Sequence, residues 1–322
     1  MRKWPGAARR LSAWNRGAAM VLTGSDYLRG SRISPDALKK QLSGLWKTVF
    51  GDGPDYTSVF LGSTAFRPED TVLSLDGGGL AAMLFLLPVS LEGMRGRYIY
   101  AVATHPDFRG RGHAGTMLEF AQRLTEGRGE DFTCLHPASD SLYGFYRRFG
   151  FETAFYIREV SRKLRTGADF PRLRIERISA ERFAALYAEA LPERRDACLK
   201  WGEETLTFLC REAEAQDGGA LAVEGGMGKG FCLFTCLEKG TAVVKETVFS
   251  GGITEELLDV LAAYWSGKSV IFRLPENFGN FPEKITEKAV LHPFGMIKYK
   301  KELLDLQGGG TRTRGFMGIA LD

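Results

Sequence analysis

One segment concentrates the residues able to do chemistry. It reads Val102-Ala103-Thr104-His105-Pro106-Asp107-Phe108-Arg109-Gly110-Arg111-Gly112-His113-Ala114-Gly115. A strand-like run enters a glycine-rich turn, and the turn opens a helix. The first backbone N–H groups of such a helix have no partner in the helix and point outward together, and the helix dipole adds positive potential. That arrangement suits phosphate. Gly110 and Gly112 let the backbone approach an anion with no Cβ in the way, and Arg109 and Arg111 add charge around it. The Walker pattern GxxxxGK[ST] is absent here. Gly110-x-Gly112-x-x-Gly115 satisfies the dinucleotide pattern, but that site needs the first strand of a parallel unit and an acid about 20 residues on. Here the turn follows a hairpin, and Glu130 and Asp131 fall in a loop before a strand.

Further along, the chain reads Tyr146-Arg147-Arg148-Phe149-Gly150-Phe151. A phenol is a proton donor, but a tyrosine on a helix face is also ordinary core, and Tyr143 stands one turn before it. Ser139 opens this helix and reads either as its N-cap or as a ligand contact. His136 ends the strand before it and reads as a base or as a structural residue ahead of Pro137. His105 and His113 flank the glycine turn and have no separate case.

The elements that position these residues follow from periodicity. Ser34 caps a helix over 35–50 with Pro35 in its first turn, and Leu38, Leu42, Leu45, Trp46 and Val49 recur at helical spacing. Residues 71–75 and 80–91 read as a hairpin about the turn Asp76-Gly77-Gly78-Gly79. Strands are expected at 98–104, 132–136 and 151–158, and helices at 115–124 and 139–149. The pattern breaks at 165–171. Beyond it, strands at 173–178, 220–224, 230–237, 241–249 and 269–274 and helices at 180–190, 201–215 and 253–265 repeat the order of the first half, and 315–321 reads as a closing strand. The reading is therefore an α/β chain with a mixed sheet, in three parts: a basic N-terminal extension at 1–30, a first domain at 31–165 and a second at 171–322.

Composition sets the outer bounds. The 322 residues are 44% hydrophobic and 25% charged, enough apolar material for two packed cores. A net charge of +4 is too small to argue for nucleic acid. Five cysteines, Cys134, Cys198, Cys210, Cys232 and Cys236, form no CxxC pair, and the four histidines show no metal-ligand spacing. The expectation is no metal, no disulfide framework and a reducing cytoplasm. The apolar stretch 80–89 is half the length of a membrane span, so no membrane partner is expected. Arg2, Lys3, Arg9, Arg10, Arg16 and Arg29 make the N-terminal extension basic, which reads as a frayed tail rather than a targeting signal.

Arg109-Gly110-Arg111-Gly112-His113-Ala114 resembles the [R/Q]-x-x-G-x-[G/A] signature of the GNAT superfamily of acyl-CoA N-acyltransferases. Tyr146-x-x-x-Gly150-Phe151 is similar to the family's second motif, and the hairpin at 71–91 and the helix at 35–50 stand where its order requires. The resemblance covers most of the first domain and implies the GNAT fold, an enzyme and acetyl-CoA as cosubstrate. Carried over, it implies pyrophosphate on the amides of Gly110, Arg111, Gly112, His113, Ala114 and Gly115 beside Arg109, and pantetheine paired like an extra strand with Val102, Ala103 and Thr104. An amide of that strand would polarise the thioester carbonyl. Tyr146 would be the general acid for the leaving thiolate, in direct attack by a primary amine of a small molecule or peptide. Ser139 stands where many members carry an asparagine that touches the coenzyme.

The run Pro137-Ala138-Ser139-Asp140-Ser141-Leu142-Tyr143-Gly144-Phe145-Tyr146 further resembles the bacterial enhanced-intracellular-survival type, with an active domain followed by a degenerate one. The second loop, Phe249-Ser250-Gly251-Gly252-Ile253-Thr254, lacks the arginines and the Gly-x-Gly spacing, so no coenzyme is expected there. In longer members a C-terminal carboxylate acts as a base, and this implies the same role for Asp322. Two alternatives stay open: a non-catalytic acyl-CoA-binding module, and a tandem-GNAT aminoacyltransferase. Duplicated domains often assemble further, which leaves a homo-oligomer open.

Overall fold

The computed structural model describes residues 19–52, 54–163, 173–190, 197–226, 228–237, 241–250, 252, 254–265, 269–276, 289–300 and 315–320. The expected domain break at 165–171, Ile253 and Asp322 lie outside them.

The first half runs β1 (Met20–Thr23), α1 (Gly24–Ser31), α2 (Pro35–Phe50), α3 (Pro54–Leu61), β2 (Thr71–Asp76), β3 (Gly79–Leu91), β4 (Met94–Thr104), α4 (His113–Gly127), β5 (Phe132–Leu135), α5 (Asp140–Arg147) and β6 (Glu152–Lys163). The second runs β7 (Leu173–Ile178), α6 (Ala180–Ala190), β8 (Lys200–Trp201), α7 (Glu203–Ala215), β9 (Gly219–Gly225), β10 (Gly228–Cys236), β11 (Ala242–Phe249), α8 (Glu255–Tyr264), β12 (Ser269–Leu274) and β13 (Val290–Tyr299). The α/β reading holds, with one mixed sheet in the order β1-β2-β3-β4-β5-β13-β6-β12-β11-β10-β9-β7 and β8 paired to β3.

Local signals formed where the chain sets them. Ser34 accepts from the Ala37 amide at 3.1 Å and starts α2. Gly51, at φ 85°, ends it by donating to the Lys47 carbonyl. Leu38, Leu42, Leu45 and Trp46 bury one face, each worth roughly 1.5–3 kcal/mol for the larger apolar side chains.

Several elements differ from the sequence reading, and α3 (Pro54–Leu61) is one that it lacks. Residues 20–30, placed there in a basic extension, belong to β1 and α1, and β1 pairs antiparallel with β2. Trp201 belongs to β8, not to the following helix, which starts at Glu203 after Gly202. The closing strand at 315–321 reduces to two isolated bridges, Phe155 to Gly315 and Cys198 to Phe316. Strand β13, absent from the reading, sits between β5 and β6. Pro293 and Gly295 break its alternation, and the register shifts at those residues absorb the break.

Three cores result. On one face α2, α3, α6, α7 and residues 316–320 share a cluster with Tyr98, Tyr100 and Ala103 of β4. On the other, α4 and α5 cover Leu84, Leu86, Ile99, Leu135 and Met296, and α8 covers β10, β11 and β12. The halves also meet through Phe60 and Phe208, whose ring centroids are 5.0 Å apart, and through Tyr56, which donates to buried Glu212 at 2.8 Å.

Candidate active site

The site begins with a fault in the sheet. The register of β3 against β4 shifts between Met83 and Phe85, and opposite it Ala101 takes φ 48°, a left-handed conformation that alanine adopts only under constraint. Strand β4 pairs in parallel with β5 at three positions only, Gly96 with Phe132, Arg97 with Thr133 and Tyr98 with Cys134. Beyond them β4 runs on to Thr104 while β5 ends at Leu135 and pairs on its far side with β13. The two strands therefore part beside Val102, Ala103 and Thr104, where a peptide-like chain has backbone groups to bond.

The glycine turn follows. The Arg109 Nε donates to the Thr104 carbonyl at 3.3 Å, which holds the turn to the strand end. Gly110 at φ 76° and Gly112 at φ 83° are both left-handed, and a Cβ on either would meet only open space. Gly112 is the N-cap of α4 and supplies no side chain to cap it, and the first turn carries no acid. The amides of His113, Ala114 and Gly115 thus start the helix uncapped, with Arg109 and Arg111 beside them. Arg111 lies over the Phe108 ring at 5.1 Å, donates to the Asp107 carbonyl at 2.9 Å and approaches Asp76 at 3.3 Å.

Gly115 does a different job from the other two glycines. A Cβ there would lie 2.6 Å from the Phe149 ring, so this glycine lets α4 close on the end of α5. The GxGxxG spacing therefore joins two turn glycines and one packing glycine.

Tyr146 lies on α5 within the cluster beneath α4, 7% exposed, edge-on to Phe145 and Phe151. No hydrogen bond of its hydroxyl is found among the described residues. Burial disfavours the phenolate and pushes its pKa up to about 12. Tyr143, one turn earlier, is also raised to about 12 by burial, then by Asp140 and Tyr156. Ser139 occupies the N-cap position of α5 without capping it, and its hydroxyl bonds that of Ser141 at 2.9 Å. His136 stacks on Phe294 of β13 at 4.1 Å and its Nδ1 meets the Phe294 carbonyl. A carbonyl only accepts, so Nδ1 carries the proton, and the ring is tied to β13.

Sequence reasoning missed Ala101, whose backbone makes the fault, and Ser74 and Asp76, which flank the buried His113 ring. Asp76 read only as a turn residue, and an alanine carries no signal of left-handed backbone. Among the described residues no group of three or more His, Cys, Asp or Glu is placed to hold a metal, and no described helix is long and apolar enough to cross a membrane.

The second half repeats the splay. Strands β11 and β12 pair in parallel at three positions, Ala242 to Val244 against Val270 to Phe272, and the register of β10 against β11 skips Lys245. Its helix α8, however, is capped: the Thr254 hydroxyl accepts from the Leu257 amide at 3.1 Å. The Lys245 ammonium, buried, donates to the Ala320 carbonyl at 3.4 Å.

Residues 32–154 match the family model described as an acetyltransferase (GNAT) domain. By that match, this part of the chain resembles a GNAT acetyltransferase domain. The matched segment contains the strand splay, the uncapped α4 and Tyr146. No curated protein matches the chain by sequence. Among solved structures, it is similar in fold to a GCN5-related N-acetyltransferase from Kribbella flavida, at TM-score 0.60 and 18% identity over 88% of this chain and 71% of that one. It is similar also to Eis1 from Mycobacterium abscessus, at TM-score 0.57 and 13% identity over 88% and 73%. A tandem GNAT protein from the clavulanic acid biosynthesis pathway gives TM-score 0.50 and 16% identity over 88% and 98%. The resemblance to the enhanced-intracellular-survival type extends to this fold.

Proposed function

We propose that the chain transfers an acetyl group from acetyl-CoA to a primary amine of a small molecule or peptide. The observation that carries this reading is the uncapped N-terminus of α4, opened by two left-handed glycines and set where β4 and β5 part. It supports pyrophosphate on the amides of Gly110 to Gly115, with Arg109 and Arg111 at its edge. The free edge of β4 at Val102, Ala103 and Thr104 supports pantetheine, whose two amides match a strand's bonding pattern. Ser139, exposed at the start of α5, is a further contact for the coenzyme.

The amine attacks the thioester carbonyl directly, the carbon–sulfur bond breaks as the tetrahedral intermediate collapses, and Tyr146 gives its hydroxyl proton to the leaving thiolate. A phenol held near pKa 12 is fully protonated at neutral pH and so is in the donating form. A carboxylate at Asp322 takes the proton that the amine must lose. Removing residues 320–322 should then abolish turnover and spare coenzyme affinity, and unchanged turnover would exclude that base.

The test of the whole reading is thiol release from acetyl-CoA with a panel of primary amines, run on wild type and Tyr146→Phe. Turnover with at least one amine, falling about 10²–10⁴-fold in the variant at unchanged coenzyme affinity, is the expected result. Coenzyme binding with no turnover on any amine would favour the non-catalytic acyl-CoA-binding reading.

A further inference from the structure

His113, the first residue of α4, is buried directly beneath the proposed pyrophosphate loop, its side chain 1% exposed. Its Nδ1 lies 2.8 Å from the Ser74 hydroxyl. Its Nε2 lies 3.5 Å from Asp76 Oδ2 and has no hydrogen-bond partner. The same Asp76 oxygen lies 3.3 Å from Arg111 Nη1, so one carboxylate oxygen faces two groups able to carry positive charge. Phe108 stands edge-on to the imidazole at 6.0 Å and closes the ring off on the loop side.

We propose that coenzyme binding at this loop is coupled to protonation of His113, through Asp76 and Arg111. The inference rests on the coenzyme reading above. With the loop empty, a second charge on the imidazole would add to the positive end of α4 and to Arg109 and Arg111, while Asp76 is shared with Arg111. A pyrophosphate on the α4 amides offsets that potential and gives Arg111 an anion to turn to. Asp76 is then left to the imidazole. The proton comes from solvent and goes to the ring, and both nitrogens then need acceptors. Ser74 Oγ faces one and Asp76 Oδ2 the other, since a hydroxyl rotates to accept as readily as to donate. The charged groups facing the ring are Asp76 from β2 and Arg111 from the loop. The neighbouring stretches of β1 (20–23), β3 (79–82), β4 (102–104) and β5, and the first turn of α4 (113–116), bring only uncharged residues.

Linkage is reciprocal, so a ligand that favours the protonated ring binds more tightly as the pH falls, up to about tenfold for each unit by which binding raises the ring's affinity for a proton. His113 and Asp76 act here as positioning residues for the loop, and the signature is proton uptake rather than loss of binding.

The test is calorimetric titration with dephospho-coenzyme A, which has the pyrophosphate but lacks the titrating monoester. It is run near neutral pH in two buffers of different ionisation enthalpy, on the full chain. A buffer-dependent heat equal to net proton uptake in wild type, lost in His113→Leu and reduced in Asp76→Asn, supports the coupling. Asp76→Asn serves alone where His113→Leu does not fold. Binding with equal heats in both buffers overturns it, as does uptake that survives both substitutions. No binding of dephospho-coenzyme A or of acetyl-CoA at any pH overturns the coenzyme reading itself, a result that differs from binding without proton uptake.

Discussion

The two halves of this molecule carry the same device and finish it differently. In each, two parallel strands pair over three positions and then part, and a register shift in the antiparallel neighbour lies alongside. In the first half the following helix starts at Gly112 with no side-chain cap and with open space around two left-handed glycines. In the second, Thr254 caps the helix and the buried Lys245 ammonium meets the Ala320 carbonyl. Gly318 also lies against the Lys245 backbone carbonyl, with no room between them for a Cβ. On the coenzyme reading proposed above, a splay of strands does not make a ligand site by itself. What differs is whether the chain satisfies its own backbone groups there or leaves them to a ligand.

The contrast can be broken most sharply at Tyr146. Its pKa near 12 puts the loss of its proton far above neutrality. A Tyr146-dependent fall in turnover should thus appear only on approaching pH 12, and a fall below about pH 10 that tracks Tyr146 in a pH–rate profile would contradict the assignment. Next comes Gly112→Glu, which forces a side chain into left-handed backbone and puts a carboxylate where an anion is to bind. Acetyl-CoA affinity measured by calorimetry should fall about 100-fold or more, from the strain together with the charge. Gly115→Ala is a smaller perturbation. Its methyl meets Phe149 and not the ligand, so thermal unfolding should show a loss of about 1–3 kcal/mol with coenzyme affinity changed far less than in Gly112→Glu. The smallest effect belongs to Thr254→Ala, which should cost about 1 kcal/mol of stability as a lost cap and leave coenzyme affinity unchanged. Weakened affinity in that variant would mean the second helix start takes part in binding.

What the sequence shows of this structure is what neighbours in the chain decide. The cap at Ser34, the turn at Gly110 and Gly112 and the spacing from Tyr146 to Phe151 are local, and each is visible as residue types at fixed offsets. Strand β13 was hidden because Pro293 and Gly295 erase its alternation and its partners, β5 and β6, are distant in the chain. Strand β1 was hidden for the opposite reason: so short a strand, set in a basic stretch, shows no period. The trio of buried Ser74, half-buried Asp76 and buried His113 joins residues 39 positions apart, and nothing in a hairpin turn announces that its aspartate faces a helix start. Gly115 carries a second constraint that its spacing does not announce, since a Cβ there would meet the Phe149 ring.

The central claim is that the chain has one coenzyme site and that it lies at the start of α4. Calorimetric titration of acetyl-CoA into wild type, Gly112→Glu and Thr254→Glu tests it most directly. The account predicts one molecule bound per chain, lost in Gly112→Glu and kept in Thr254→Glu. Two molecules bound per chain, or binding that survives Gly112→Glu and disappears in Thr254→Glu, would contradict it.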